Sequence, residues 1–293
     1  MKKFLISLML VAVMAVSIIG MTACGGSSDK FTGYDIELSR KVVEYLNNTY
    51  KSNIKLEFIE INWDQKEALL ENGSIDLVWN GMTINESRLE GMSMSIPYLS
   101  NKQAILIKKA NKSKYNLTSL EAFKASASNA VVGVENGSAA EEIMIVDGVK
   151  TFGKEVLPLE SQFDILTNMS TGSVEIGVLD SIMAGYYLKN SSYKDTLEIV
   201  EFFLSEEEYG IGAKKGNDAL TSKINEGIIA LAKNGELKKI GDQFGLTSEN
   251  LVDSNTKNPL SNATDESWNK VVKSGKLIIG YTVFAPIAYT ETK

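Results

Sequence analysis

From Tyr34 onward the chain alternates short apolar runs with amphipathic stretches, a pattern that calls for a sheet covered by helices. Tyr34 to Leu46 places Ile36, Val42, Val43 and Leu46 on one helical stripe, and Ile54 to Ile61 alternates as a strand. A helix over Asp64 to Leu70 leads to a buried strand, Ile75 to Trp79, and Ala104 to Ile107 reads as another strand. A second set opens at Ala130 to Val134, with a helix through Ile145, a strand near Val156 and a helix over 161–169. A strand over 174–179 and a helix over 181–188 complete it. Thr196 to Leu204 and Tyr209 to Ala213 read as strands, and helices near 218–233 and 236–244 follow. Thr, Ser, Asn and Asp then dominate 247–264, which Pro259 interrupts, so this stretch reads as a linker or surface loop. Beyond it stand a helix over 265–273 and a strand, Lys276 to Gly280, that runs on to Tyr289. A buried strand placed there, after a linker, needs explaining.

Composition removes most chemistry. The 293 residues suit one large or two medium domains. A net charge of -7 argues against an electrostatic nucleic-acid binder. The absence of His excludes Ser-His-Asp and Cys-His catalysis and His-ligated zinc. One Cys excludes an internal disulfide framework, so packing alone must hold the fold. No tandem repeat of useful length is visible.

The single Cys has a use of its own. Lys2 and Lys3 precede an almost wholly apolar run, Phe4 to Ile19, and Met21-Thr22-Ala23 lead into Cys24. Residues 1–23 therefore read as a lipoprotein signal peptide, cleaved before Cys24, whose thiol carries the lipid. An ordinary signal peptide or a single transmembrane anchor is the alternative, though the apolar run is short for a span. Met21 stands where a lipobox more often has Leu. Residues 24–30, rich in Gly and Ser, form a tether. Without Lys2 and Lys3 the net charge becomes -9.

Several segments in order carry a resemblance. They are Phe31-Thr32-Gly33-Tyr34-Asp35-Ile36-Glu37-Leu38, then Ile61-Asn62-Trp63-Asp64, then Asp76-Leu77-Val78-Trp79-Asn80-Gly81-Met82-Thr83-Ile84 followed by Arg88. Val178-Leu179-Asp180 and Tyr209-Gly210-Ile211-Gly212 continue the series. Together they resemble the extracellular solute-binding proteins of polar amino-acid ABC transporters, over nearly all of 31–246 and the last twenty residues. The resemblance implies an α/β, two-lobe, periplasmic-binding-protein-like fold with two hinge strands, near 104–109 and 203–212. Lobe 1 would comprise 31–106 and 213–293, with 247–264 as linker, and lobe 2 would comprise 107–212.

The order departs from the family in one respect. There, a segment like Lys276 to Tyr289 comes first; here it comes last. Joining Thr290-Glu291-Thr292-Lys293 to Phe31 restores the expected strand, turn and helix. We therefore read a circular permutation, with older termini bridged by 247–264. A recombined piece of a tandem gene, whose last strand serves a neighbouring copy, is the rival.

A free amino acid is a zwitterion, so its receptor needs a cation and an anion. Arg88 is the candidate for the carboxylate, because a guanidinium forks onto it with two parallel hydrogen bonds. The only other arginine, Arg40, sits within an amphipathic helix and reads as surface. Alone, Arg88 also fits a solvated arginine on a helix starting near Asn85; the Gly81-x-Thr83-x-x-x-x-Arg88 pattern favours the ligand role. Thr83 offers a hydroxyl and Gly81 a close backbone approach. Ser138 and Ala139, where a strand meets a helix, are candidate donors from lobe 2, with a plain helix cap at Ser138 as the alternative. Asp180, at a strand's carboxyl end, is the ammonium partner or else an N-cap. The Asn80 carbonyl is a second ammonium acceptor. By the resemblance, Trp63 and Phe284 sandwich the ligand's side chain; each also reads as plain core. Tyr281 stands where relatives of polar specificity often place an acid, and Glu135 is a candidate acid favouring a basic side chain.

The expected function is capture of a polar or charged amino acid by a lipid-anchored monomer on the outer face of the membrane. Delivery goes to an ABC permease, without catalysis, nucleic acid, metal or cofactor. Two alternatives stay open: an amino-acid sensor acting in trans, and a dehydratase-like enzyme on the same fold.

Overall fold

The computed structural model describes residues 30–291. The proposed leader, nearly all of the tether, and Cys24 lie outside the described residues.

The described residues start with β1 (Lys30–Thr32), α1 (Tyr34–Tyr50), β2 (Lys55–Glu60) and α2 (Lys66–Asn72). Then come β3 (Leu77–Thr83), α3 (Glu86–Gly91) and β4 (Met92–Met94), before β5 (Leu99–Lys108) crosses to the second lobe. That lobe comprises α4 (Leu120–Ser126), β6 (Val131–Glu135), α5 (Ala139–Met144), β7 (Ile145–Val146) and β8 (Val149–Lys150). It continues through β9 (Glu155–Leu159), α6 (Gln162–Thr171), β10 (Ile176–Asp180), α7 (Ser181–Asn190) and α8 (Tyr193–Thr196). β11 (Leu197–Lys214) returns, and α9 (Asp218–Lys233), α10 (Glu236–Phe244), α11 (Ser267–Ser274), β12 (Lys276–Tyr281) and β13 (Tyr289–Glu291) follow.

The main sheet runs β2-β12-β3-β11-β5-β10-β6-β9, with β4 beside β11. β5 and β11 lie antiparallel in its middle and belong to both lobes, β11 pairing with β3 on one side and β5 with β10 on the other. The register of β11 slips between Ile199 and Phe203 and again before Ser205. The two strands expected at 196–204 and 209–213 are one continuous strand, bent at these slips. The acidic run Glu206-Glu207-Glu208 hid that continuity, because it has none of the apolar alternation by which strands are read.

β12 takes an interior place. It runs parallel to β2, Lys276 opposite Lys55 through Tyr281 opposite Glu60, and parallel to β3 at Ile279 and Gly280. Leu277 and Ile279 are fully buried, each contributing about 2 kcal/mol by burial alone. The two ends of the described stretch meet nearby: β1 and β13 pair antiparallel, Phe31 opposite Thr290. Gly33 explains how the last segment is fixed. Its φ of 133° suits glycine only, and an added Cβ would stand 2.2 Å from the Ile287 carbonyl oxygen. This close approach lets the first amides of α1 be satisfied: Tyr34 N–H donates to the Pro286 carbonyl at 2.9 Å and Asp35 N–H to that of Ile287 at 3.0 Å.

The expected linker at 247–264 is bound to the first lobe between Asn250 and Asn258. Tyr34 Oη donates to Asn250, Leu251 N–H to the Tyr98 carbonyl, and Asn258 Nδ2 to the Ser222 carbonyl. Val252 is buried.

Candidate functional site

Strands β3, β6 and β10 end at one cleft between the lobes, and the loop after β12 closes its side. The lining includes Trp63, Asn80, Gly81, Thr83, Arg88 and Phe284 from the first lobe and Glu135, Ser138, Ala139 and Asp180 from the second, drawn together around a cavity of only about 20 Å³. Ten of the eleven candidate ligand residues thus come together. Tyr281 does not. Its ring lies tilted against Phe31, centroids 4.7 Å apart, and meets Phe58 edge-on, on the far side of β12, because alternate residues of a strand face opposite ways. Thr282, the next residue, lines the cleft instead.

Arg88 is buried on α3, whose start is capped by Asn85 accepting the Arg88 amide. Its guanidinium donates to the Thr83 carbonyl at 2.7 Å, which holds it against β3. Across the cleft it donates to the Gly137 carbonyl at 3.4 Å and to Glu142 at 3.3 Å. A second buried cation stands beside it. Lys66 donates to the same Gly137 carbonyl at 2.9 Å and lies 5.0 Å from the Trp63 ring centre. Burial lowers its pKa first, and the Arg88 charge adds to this. Lys66 had a readable signal in hindsight: it lies three residues beyond Trp63, one helical turn away.

Gly81 has a positive φ of 61°, and an added Cβ would lie 2.8 Å from the Phe284 ring and 3.0 Å from that of Tyr209. Its amide donates to the buried carboxyl of Asp35 at 2.8 Å, which also accepts from Tyr98 Oη at 2.8 Å. Burial pushes Asp35 up to about 7 against the pull of those two donors. The Asn80 side chain donates to Thr282 Oγ1 at 2.9 Å, tying β3 to the loop after β12.

The second lobe brings acid. Asp180 immediately precedes α7 yet caps nothing with its side chain. Its carboxylate accepts from Asn101 Nδ2 and, at 2.7 Å, from Gln103 Nε2; Gln162 also donates to it, while Asp180 N–H donates back to Gln162 Oε1. The N-cap alternative therefore gives way to a carboxylate held by amides at the cleft. Burial, then the neighbouring Glu207, raises its pKa. Glu207 on β11 accepts from Thr83 Oγ1, Asn101 and Gln103 at 3.0 to 3.1 Å. Gln103, Gln162 and Glu207 were invisible as site residues, since each depends on partners far away in the sequence. Glu135 ends β6, is buried, and is pushed up to about 8 by burial and then by the Asp180 charge. Ser138 caps α5 by accepting the Glu141 amide at 3.3 Å, which realises the cap reading while leaving it on the cleft wall.

The chain thus places a guanidinium, buried carboxylates and two aromatic rings at one interlobe cleft, at the carboxyl ends of its strands. The family model for bacterial extracellular solute-binding proteins, family 3, matches residues 20–247. The chain belongs to this family. The matched stretch ends before β12, so the strand that completes the first lobe's sheet lies beyond it. Within the family, the probable histidine-binding protein of Neisseria gonorrhoeae is 27% identical over 216 residues, covering 73% of this chain and 75% of that protein. The glutamine-binding protein of a Bacillus subtilis ABC transporter is 26% identical over 215 residues, covering 73% and 72%. Among solved structures, an ancestral arginine-binding protein bound to arginine is 31% identical with a TM-score of 0.60, covering 72% of this chain and 87% of that one. Family 3 proteins are extracellular; among the described residues here no helix is long and apolar enough to cross a membrane.

Proposed function

We propose that the chain captures a free amino acid between its lobes and delivers it to an ABC permease, held at the outer membrane face by lipid on Cys24. The observation that carries this reading is the pairing of opposite charges in one cleft: Arg88 on the first lobe, Asp180 on the second. The α-carboxylate meets Arg88, while the Thr83 hydroxyl, expected to donate beside it, donates to Glu207 instead, and the α-ammonium meets Asp180 and the Asn80 carbonyl. Trp63 and Phe284 flank the side chain. The relatives' ligands, histidine, glutamine and arginine, share this zwitterionic head.

Lobe 1 takes in 31–106 and 213–293, and lobe 2 takes in 107–212, so closure bends β5 and β11. Contacts from Lys66 and Arg88 to the Gly137 carbonyl are those of a closed form. Binding in the open form followed by closure is a population shift, driven by contacts made only when the lobes meet. The protein performs no reaction on its ligand. The order of elements supports a rearranged gene: segment 276–289 stands where the family resemblance puts a first strand, and 247–264 bridges older ends.

Isothermal calorimetry of the chain against the free amino acids tests the core of this. At least one binds with a Kd near or below 1 μM, about -8 kcal/mol. No binding across the panel overturns the reading.

A further inference from the structure

The cleft holds more negative charge than a zwitterion requires. An amino acid's ammonium needs one anionic partner, and Asp180 supplies it. Glu207 is already satisfied by Thr83, Asn101, Gln103 and, at 3.1 Å, Ser205. Glu135 is different. It is 4% exposed and lines the cleft, and Gln162, whose side-chain amide also serves Asp180 at both ends, hydrogen-bonds to it through side chain and backbone, while none of the ion pairs among the described residues involves it. The β6–β10 register, Gly177 opposite Gly133, carries Glu135 to the level of Leu179, one residue before Asp180. Two buried carboxyls thus sit side by side at the ends of adjacent strands.

Resting on the amino-acid reading above, we propose that Glu135 selects a positively charged side chain, and that the site releases a proton as that cation enters. A buried carboxyl facing an apolar or neutral side chain stays protonated or costs desolvation without return; a guanidinium or ammonium gives it a partner. The Trp63 and Phe284 rings suit the same cation, since a ring face attracts positive charge. The charged groups around Glu135 are Asp180 from β10, Lys66 from the start of α2 and Arg88 from α3. Glu207 of β11 stands behind Gln103, and Glu142 of α5 lies at the rim. Burial, then the Asp180 charge, opposes ionisation of Glu135 and outweighs the Gln162 hydrogen bonds and the Lys66 charge that favour it, which pushes its carboxyl up to about 8. Entry of a cation shifts that balance, and the proton passes to solvent.

The test is calorimetry of the chain with L-arginine and L-lysine, against L-citrulline and L-norleucine as neutral chains of similar length. Each is run in two buffers of different ionisation enthalpy. Expected is at least about tenfold preference for a cation over its neutral counterpart, equal to about 1.4 kcal/mol. Its heat should vary between buffers in the sense of proton release, and the preference should grow from pH 6 to pH 9. Glu135→Gln should remove the preference and the buffer dependence while binding of the neutral chain survives. Glu135→Asp, if the first variant fails to fold, should keep the preference in weakened form. A neutral chain bound as tightly as the cation, or a preference and buffer dependence that survive Glu135→Gln, overturns the selector role and leaves amino-acid capture standing. Absence of binding by every amino acid overturns both.

Discussion

Glu142 on the second lobe accepts from the Arg88 guanidinium on the first at 3.3 Å, and its other oxygen accepts from Asn85 Nδ2 at 2.6 Å. The Glu142 side chain is 48% exposed, whereas that of Arg88 is 3% exposed. The pair therefore spans the cleft mouth with one end in water. A half-exposed ion pair contributes at most about 1 kcal/mol, enough to tip an open–closed equilibrium but not to hold the fold. Glu142→Ala should leave the thermal midpoint within a few degrees of the parent. It should also raise the radius of gyration of the ligand-free protein in small-angle scattering. An unchanged scattering profile would show that the rim pair does not bias closure.

Arg88 makes its remaining contacts indoors, and those set the effect of changing it. Arg88→Lys keeps the charge and loses the fork, and a lysine ammonium cannot serve the Thr83 carbonyl and a ligand carboxylate with the same planar geometry. Amino-acid affinity should fall about 100-fold in this variant, roughly 2.7 kcal/mol, and should be lost altogether in Arg88→Ala. Calorimetry on the folded variants decides. Affinity retained in Arg88→Ala would remove this residue from the carboxylate site.

Three buried acids tie stability to pH in one direction. Asp35 and Glu135 are raised to about 7 and about 8, and Asp180 is raised as well, chiefly by burial in each case. A raised carboxyl binds more protons when folded than when unfolded, so stability falls as pH climbs from the unfolded value near 4 toward the folded one. Each such group removes at most about 1.4 kcal/mol per pH unit across that window. Urea unfolding of ligand-free protein at pH 5 and pH 8 should therefore give the lower stability at pH 8. Asp35→Asn, which keeps an acceptor for Gly81 and Tyr98, should flatten the difference. Equal stability at the two pH values would contradict it.

The helices, most strands and the cleft's charged ends were legible in the sequence because they rest on local patterns. The α1 stripe is periodic, and Asp180 closes an apolar strand. What could not be read depends on pairs distant in the chain. Gln103 and Gln162 become site residues only because both reach Asp180, 77 and 18 residues away. Lys66 carried a local signal, one turn beyond Trp63, but its bond to the Gly137 carbonyl 71 residues on depends on the fold. Tyr281 was misplaced for a different reason: the family position fixed its neighbourhood, and strand alternation decided its face. The interior place of β12 was readable from its apolar run, since such a strand has to be covered on both faces.

That interior place yields the sharpest stability test. Gly33 combines a φ of 133° with ψ of 164°, a region open essentially to glycine alone, and its missing Cβ makes room for the Ile287 carbonyl. An alanine there must either adopt that strained backbone or push the 286–288 segment off the start of α1. The second course frees the Tyr34 and Asp35 amides and loosens the loop that carries Phe284 into the cleft. Gly73 is the fitting control, for it also has a positive φ, 76°, but open space around its missing Cβ. Gly73→Ala should cost about 1 kcal/mol from backbone strain alone. Gly33→Ala should exceed about 3 kcal/mol in urea unfolding, and it should weaken ligand binding as Phe284 shifts. Deleting 276–293 should abolish the cooperative transition, because β2 and β3 would lose the strand between them. If Gly33→Ala proves no worse than Gly73→Ala, or the truncated chain still unfolds cooperatively and binds, the last segment is not the internal strand of this lobe in solution.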